Sequence, residues 1–454
     1  MTSLSPNRAT TIKEAYRICN VVPLEGEDFN RYYVSLDKLR KGEAAEGVST
    51  QLDFLEAGQF ETILFTGHRG SGKSTELKRL QSRWQETFEV IYLEVNEETD
   101  INDVQYTDIY LVVIKQIEFR MRQLGLTFEA SLLRNFENWF KEVTEESEET
   151  VENSVSVQAE ASLGGGASFL AKLLVKLQAQ IKGSEKQKKT IRHKLQREIS
   201  RLKGDTNLLL DDAFEKLRAL KPEFKGFLLI FDNLDRVPPN VGDHLFFDYA
   251  QQLRELHCTM VFTVPISVLC SPKGLGNTFE YPNLMSMPNV YALDRDSLDL
   301  KYNDDAVAKL AKLLESRIDI EAVFDDRERI LELARYSGGH VRQMMQMARL
   351  ACQTAGTRRV EKVGADEVLY AFKQQQFMFE RAVREGHYER LVEVCRDKDV
   401  GRDEIGQLML FNTSVLEYNG EDRWNYPNPA VMASPAFQEL LDDARDEARK
   451  IVEG

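Results

Sequence analysis

The chain has 454 residues, 42% of them hydrophobic and 29% charged, which is room for about two to four domains with their own cores. Its formal charge of −15 excludes a protein that coats nucleic acid over its whole surface, while leaving local basic patches to be sought separately. Five scattered cysteines without C-x-x-C spacing and six unclustered histidines argue against a zinc knuckle and for reduced thiols in a cytoplasmic protein.

The N-terminus lacks the apolar stretch of a secretory signal, and no apolar run approaches the ~20 residues of a membrane-crossing helix, so no integral membrane segment is expected. Residues 1–60 read as a lead-in, with "YYVSLDKLR" as a strand or helix. Then comes "TILFTGHRGSGKSTELKRL", an apolar strand, a glycine-rich loop and a helical pattern. It matches G-x-x-x-x-G-K-S/T at Gly67, Gly72, Lys73 and Ser74. Phosphate oxygens need several N–H donors converging on a small volume, and only near-naked backbone wraps that tightly. The loop Gly67, His68, Arg69, Gly70, Ser71, Gly72, Lys73, Ser74 and Thr75 is therefore read as the cradle of a nucleoside triphosphate. Lys73 would neutralise the β- and γ-phosphates, and Ser74 would ligate Mg²⁺.

"EVIYLEVN" alternates like a second strand, and a helix is expected near Ile109 to Leu124. Lys73 and the next motif are 159 residues apart, so an insert at about 126–220 interrupts the core. Residues 142–160 hold seven glutamates and no Lys or Arg, whereas 172–203 hold 11 Lys+Arg against two Glu. Between them Phe169, Leu170, Leu173, Leu174, Leu177 and Ile181 form an apolar helical stripe. Three readings compete: a solvated helical hairpin whose basic face pairs with the acidic stretch, a DNA contact through Lys172 to Lys203, and an amphipathic helix that meets a membrane or partner.

"FLLIFDNLDR" is a buried strand ending in Asp232, placed to hold Mg²⁺ beside the phosphates. The following residue is Asn233, an amide that accepts no proton, so Asp235 is read either as the catalytic base or as a structural partner of Arg236. "CTMVFTVP" is a further buried strand; its Thr263 either senses the γ-phosphate or satisfies backbone. "MPNVYALD" (Met287 to Asp294) reads as the last strand of a parallel sheet covered on both faces.

From Asn303 to Arg381 the pattern is helical, a lid in which Gly338 and Gly339 break one helix and Arg342 opens the next. Arg342 either reads the γ-phosphate or is a solvated helix-face arginine; the nearby methionines read as core. The last segment shows two short helices, then "SVLEYNGEDRWNYP" as strand, Asn-Gly turn and strand, the outline of a winged helix. From Arg384 onward nine basic residues face 16 acidic ones, which favours a protein contact over DNA.

These motifs resemble those of P-loop ATPases of the AAA+/STAND type, near the bacterial and archaeal origin-recognition-like ATPases, over roughly Arg31 to Tyr426. "GHRGSGKST" looks like Walker A, "LLIFDNLDR" like Walker B, "FTVPIS" sits where sensor 1 belongs and "SGGHVR" looks like the sensor 2 or Gly-x-Pro region. The chain departs from the pattern in three ways: Asn233 replaces the usual catalytic acid, no arginine follows the sensor-1 strand, and Val341 replaces a proline. The resemblance implies an α/β parallel-sheet P-loop NTPase core at 61–300, a helical lid at 301–382 and a winged-helix-like domain at 383–454. It implies a cytoplasmic ATPase using ATP and Mg²⁺ as a nucleotide-dependent switch, with Lys73, Asp232, Asp235, Thr263 and Arg342 in its chemistry and a protein partner or self-association as its output. A DNA-binding ATPase and a nucleotide-locked scaffold with negligible turnover are the alternatives.

Overall fold

The computed structural model describes residues 8–144, 169–183 and 185–453. Five strands form one parallel sheet: β1 (Thr62–Gly67), β2 (Glu89–Glu94), β3 (Phe227–Asp232), β4 (Thr259–Pro265) and β5 (Asn283–Met285). Their spatial order is β2-β3-β4-β1-β5. Every residue of β3 and β4 is buried, as expected of apolar runs in a parallel sheet with helices on both faces. β2 lies at an edge, and there buried and half-buried positions alternate. With β4 inserted between β1 and β3, the C-terminal ends of these strands bring the glycine loop and Asp232 to one rim of the sheet.

One face of the sheet is covered by the helix Lys73–Trp84, whose Leu77, Leu80 and Trp84 pack with Val48, Leu52, Ile63 and Phe65. The other face carries the helix Tyr106–Gln123, and the insert packs on top of it. Leu170, Leu173 and Leu174 of the helix Phe169–Gly183 are fully buried in the same cluster as Ile109, Val113 and Ile117. Each such leucine contributes roughly 1.5–3 kcal/mol, so the insert is a second helical layer on the core. The helices Glu185–Arg197 and Ile199–Leu220 complete it.

Two cations of the insert do not belong to a solvated basic face. Lys188 and Arg192 are buried and turned inward to Asp103, at 2.6 and 2.8 Å; Arg192 also pairs with Asp108. Two cations on one helix face within reach of the acids at the start of Tyr106–Gln123 are neutralised locally. The glutamate-rich stretch lies for the most part outside the described residues, as do the side chains of Phe169, Leu177 and Ile181. Among the described residues no helix is long and apolar enough to cross a membrane.

The segment read as the last sheet strand is displaced. β5 is Asn283–Met285, and only Tyr291–Ala292 (β6) of the expected strand is extended, paired antiparallel with Lys301–Tyr302 (β7) outside the main sheet. Pro288 has no N–H for a ladder, and the N–H of Met287 donates instead to the carbonyl of Glu417 at 3.0 Å. That captures the segment for the C-terminal hairpin.

The lid consists of the helices Asp304–Glu315, Glu328–Tyr336, Val341–Arg358 and Ala365–Ala382. After the helices Tyr388–Asp397 and Glu404–Phe411, β8 (Val415–Tyr418) and β9 (Trp424–Pro427) form the antiparallel hairpin of a winged helix. Lid, hairpin and the N-terminal helix Ile12–Ile18 share one continuous apolar core.

Candidate nucleotide site

β1 ends in Gly67 at φ 149°, and a Cβ there would meet the Met285 carbonyl oxygen at 2.4 Å. Gly70, at φ 89°, lies against the lid: a Cβ would come within 2.8 Å of Arg342 and 2.7 Å of the His340 ring. The loop is therefore glycine-rich for two distinct reasons, its own tight path and the close approach of another element. The Arg342 N–H donates to the Gly70 carbonyl at 3.2 Å, so the lid helix starts directly on the loop.

Lys73 is buried, and its ammonium uses all three protons. It donates to the carbonyls of Gly67 at 2.7 Å and His68 at 2.8 Å, and it pairs with Asp235 at 2.7 Å. Arg40, from the lead-in, donates to the Ser71 carbonyl at 2.7 Å while its Nε stays buried without a partner. The Ser71 hydroxyl is likewise buried and unpartnered.

The loop floors a cavity of about 330 Å³. Residues of the lead-in, including Pro23, Leu24 and Tyr33, form one wall; Asn233, Asp235 and Arg236 form another; Val341, Arg342 and Met345 of the lid close it. Arg40, Arg69, Lys73, Arg236, Arg317 and Arg342 give it a strongly cationic lining. Burial and then the charges of Arg236 and Arg69 push the Arg342 pKa down, with Asp235 and Asp232 opposing them. Like charges gathered this closely, together with two orphaned donors at the loop, fit a polyanion such as a triphosphate. The hydroxyl of Ser74 and the carboxylate of Asp232 are oxygen donors of the kind Mg²⁺ takes.

Asp232 accepts from the Tyr92 hydroxyl at 2.5 Å and from the Asn233 N–H at 2.7 Å. Burial, then the Asp232 charge, raises the Tyr92 pKa, so that phenol remains a donor. Asn233 has left-handed backbone, φ 68°, and its amide donates to Glu94 at 3.1 Å. The Thr263 hydroxyl accepts from the N–H groups of Leu234 and Asp235, at 2.9 and 3.3 Å, and donates to the Phe231 carbonyl at 3.1 Å. It is fully buried and engaged with backbone, and it does not line the cavity. Its place is to hold the turn that delivers Asp235, whose partner is Lys73 and not Arg236.

Two buried histidines flank the loop. His68 accepts from the Glu417 N–H of the hairpin at 2.8 Å, and His340 caps the lid helix by accepting from the Gln343 N–H at 3.3 Å. Burial pushes both pKa values down, His340 to about 3, so both rings are neutral. Of the residues singled out in the sequence, the structure gathers the loop, Asp235 and Arg342 around one cavity, sets Asp232 behind it and leaves Thr263 in support. Sequence reasoning missed Arg40, Glu94, His340 and the His68–Glu417 contact. Arg40 closes the flagged stretch "YYVSLDKLR", and Glu94 ends a recognised strand, but nothing local marks either side chain as part of the site.

The strand order and the loop together define an α/β parallel-sheet P-loop NTPase core, here with a helical lid and a winged-helix hairpin. No protein-family model matches the chain, and no curated protein matches it in sequence. Among solved structures it is similar to the ORC2 protein of Aeropyrum pernix in its ADPNP–ADP complexes, at 11% identity and TM-score 0.35, over 96% of this chain and 98% of that one. It is similar to CDC6P from Pyrobaculum aerophilum at 11% identity and TM-score 0.35, covering 98% and 97% of the two chains. The ORC1 protein of Aeropyrum pernix in complex with DNA gives 14% identity and TM-score 0.37, covering 96% and 97%. The strand order, and not these likenesses, carries the description of the fold.

Proposed function

We propose that this chain binds ATP with Mg²⁺ in the cavity over the glycine loop, hydrolyses it, and uses the lid as a nucleotide-dependent switch. The observation that carries the reading is the convergence of Lys73, Arg40, Arg69, Arg236 and Arg342 on one cavity floored by Arg69–Thr75 of the loop. In this reading Lys73 exchanges its Asp235 partner for phosphate, and the lead-in residues around Tyr33 hold the base. Arg342, anchored through its own N–H to Gly70, is placed to meet the terminal phosphate and so to tie lid position to nucleotide state. A bound Mg²⁺, held by Ser74 and Asp232, would offset charge on the phosphates. A cytoplasmic location and an output through a protein partner belong to the same reading.

A DNA contact through Lys172 to Lys203 has less support, because Lys188 and Arg192 in that run are buried and already paired. Calorimetric titration with ATP in Mg²⁺ buffer tests the proposal. The parent protein should bind, and folded Lys73→Ala should bind at least tenfold more weakly, ~1.4 kcal/mol. Equal affinity in the two would falsify it.

A further inference from the structure

Hydrolysis needs an acceptor for the proton of the attacking water, and the amide of Asn233 is not one. Three carboxylates meet at the C-terminal edge of β2 and β3: Asp232, Asp235 and Glu94. Two are committed. Asp235 is buried in an ion pair with Lys73 at 2.7 Å, and Asp232 is buried with both oxygens accepting, from Tyr92 and from the Asn233 N–H. Glu94 differs from both. It is exposed, it lies directly beside Asp232 in the strand register, and among the described residues its one hydrogen-bond partner is the Asn233 amide at 3.1 Å. A neutral amide orients a carboxylate without cancelling its charge and occupies one oxygen, which leaves the other open to a water. Asn233 presents that amide from left-handed backbone, a conformation asparagine adopts more readily than most non-glycine residues.

We propose that Glu94 is the general base of this site and that Asn233 is its positioning residue, the acid and the amide standing on neighbouring strands. As the water oxygen bonds to the γ-phosphorus, its proton passes to Glu94. The bond from the γ-phosphorus to the bridging oxygen breaks, and its electron pair leaves on ADP. Glu94, being exposed, returns the proton to solvent. The inference rests on the nucleotide reading above.

The test compares the parent protein with Glu94→Gln, Asn233→Ala and Lys73→Ala. It measures affinity for a fluorescent ATP analogue, kcat and KM between about pH 5 and 9, and the ATP:ADP ratio on protein re-isolated after incubation with ATP. Glu94→Gln is isosteric at an exposed position and should fold as the parent does. It should bind the analogue within about twofold of the parent, lose about tenfold or more in kcat, lose the acid limb of the kcat profile, and come back carrying ATP where the parent carries ADP. Asn233→Ala should lower kcat with KM held within a few fold. Glu94→Gln hydrolysing at the parent rate overturns the proposal, as does a parent that binds ATP without turnover. A parent that does not bind the analogue, or Lys73→Ala binding it unchanged, sinks the nucleotide reading itself.

Discussion

Lys73 and Asp235 form a buried ion pair at 2.7 Å, and the hydroxyl of Thr263 holds the turn that presents the acid. Removing either charge strands the other away from water. Lys73→Ala should therefore lose about 3–5 kcal/mol of stability as well as ATP affinity, and Lys73→Ala/Asp235→Asn should regain most of the stability and none of the binding. Urea unfolding of the two variants reads the first quantity, and ATP titration reads the second.

Thr263→Val keeps the shape of the side chain and deletes the acceptor for two buried N–H groups. It should cost about 1–3 kcal/mol, while Thr263→Ser should stay close to the parent. If Thr263 instead met the γ-phosphate, Thr263→Val would lower kcat with stability intact, and the same two measurements expose that case.

His68 and His340 have pKa values below the ordinary 6.5 because burial penalises the charged ring. The unfolded chain then binds more protons than the folded one as pH falls below about 6.5. The stability these rings contribute is whole above that value and is lost on acidification toward their folded pKa. His340 should cost about 2 kcal/mol between pH 6.5 and 5, and His68 acts in the same direction. His340→Asn, which can still cap the helix, should flatten the slope of ΔG against pH, as followed by denaturant unfolding at several pH values.

In the insert, Arg192→Ala leaves Asp108 buried without its cation and should destabilise by about 3–5 kcal/mol, whereas Lys189→Ala, at an exposed position, should stay within about 0.5 kcal/mol. Duplex DNA should bind weakly at physiological salt, since two of the basic run's cations are spent inside. Fluorescence anisotropy showing tight binding with a steep salt slope would restore the basic-run reading.

Protease cleavage of the lid around Ser337 to Met347 should differ between an ATP analogue and ADP, and Arg342→Ala should remove the difference. Matching patterns in the parent would dismiss the lid as a nucleotide reader.

The glycine loop and the Asp232 strand were legible because their chemistry is local: consecutive residues supply the strand, the loop and the helix start. Thr263 was legible as a polar residue in a buried strand, but its partners depend on which strand lies beside β3, which no local pattern records. Glu94 and Arg40 join the site through strand register and through the return of the lead-in, both set by packing at long range. The last strand was misplaced because "MPNVYALD" has a good apolar pattern, and its competitor for Met287 stands 130 residues later in the hairpin. Lys188 and Arg192 of the basic run turn inward because the acids they pair with precede them by roughly 80 to 90 residues, which no local pattern records.

The hydrogen bond from the Glu417 N–H to the His68 ring joins residues 349 positions apart. A ribosome finishes the glycine loop early, yet the strand that seats this ring is among the last parts to emerge. Until then the nascent chain has the loop but not the backbone N–H that holds its His68 ring. A stalled or prematurely terminated product therefore lacks the hydrogen-bond partner that seats His68, and the loop is fixed at that point only once the hairpin has been made.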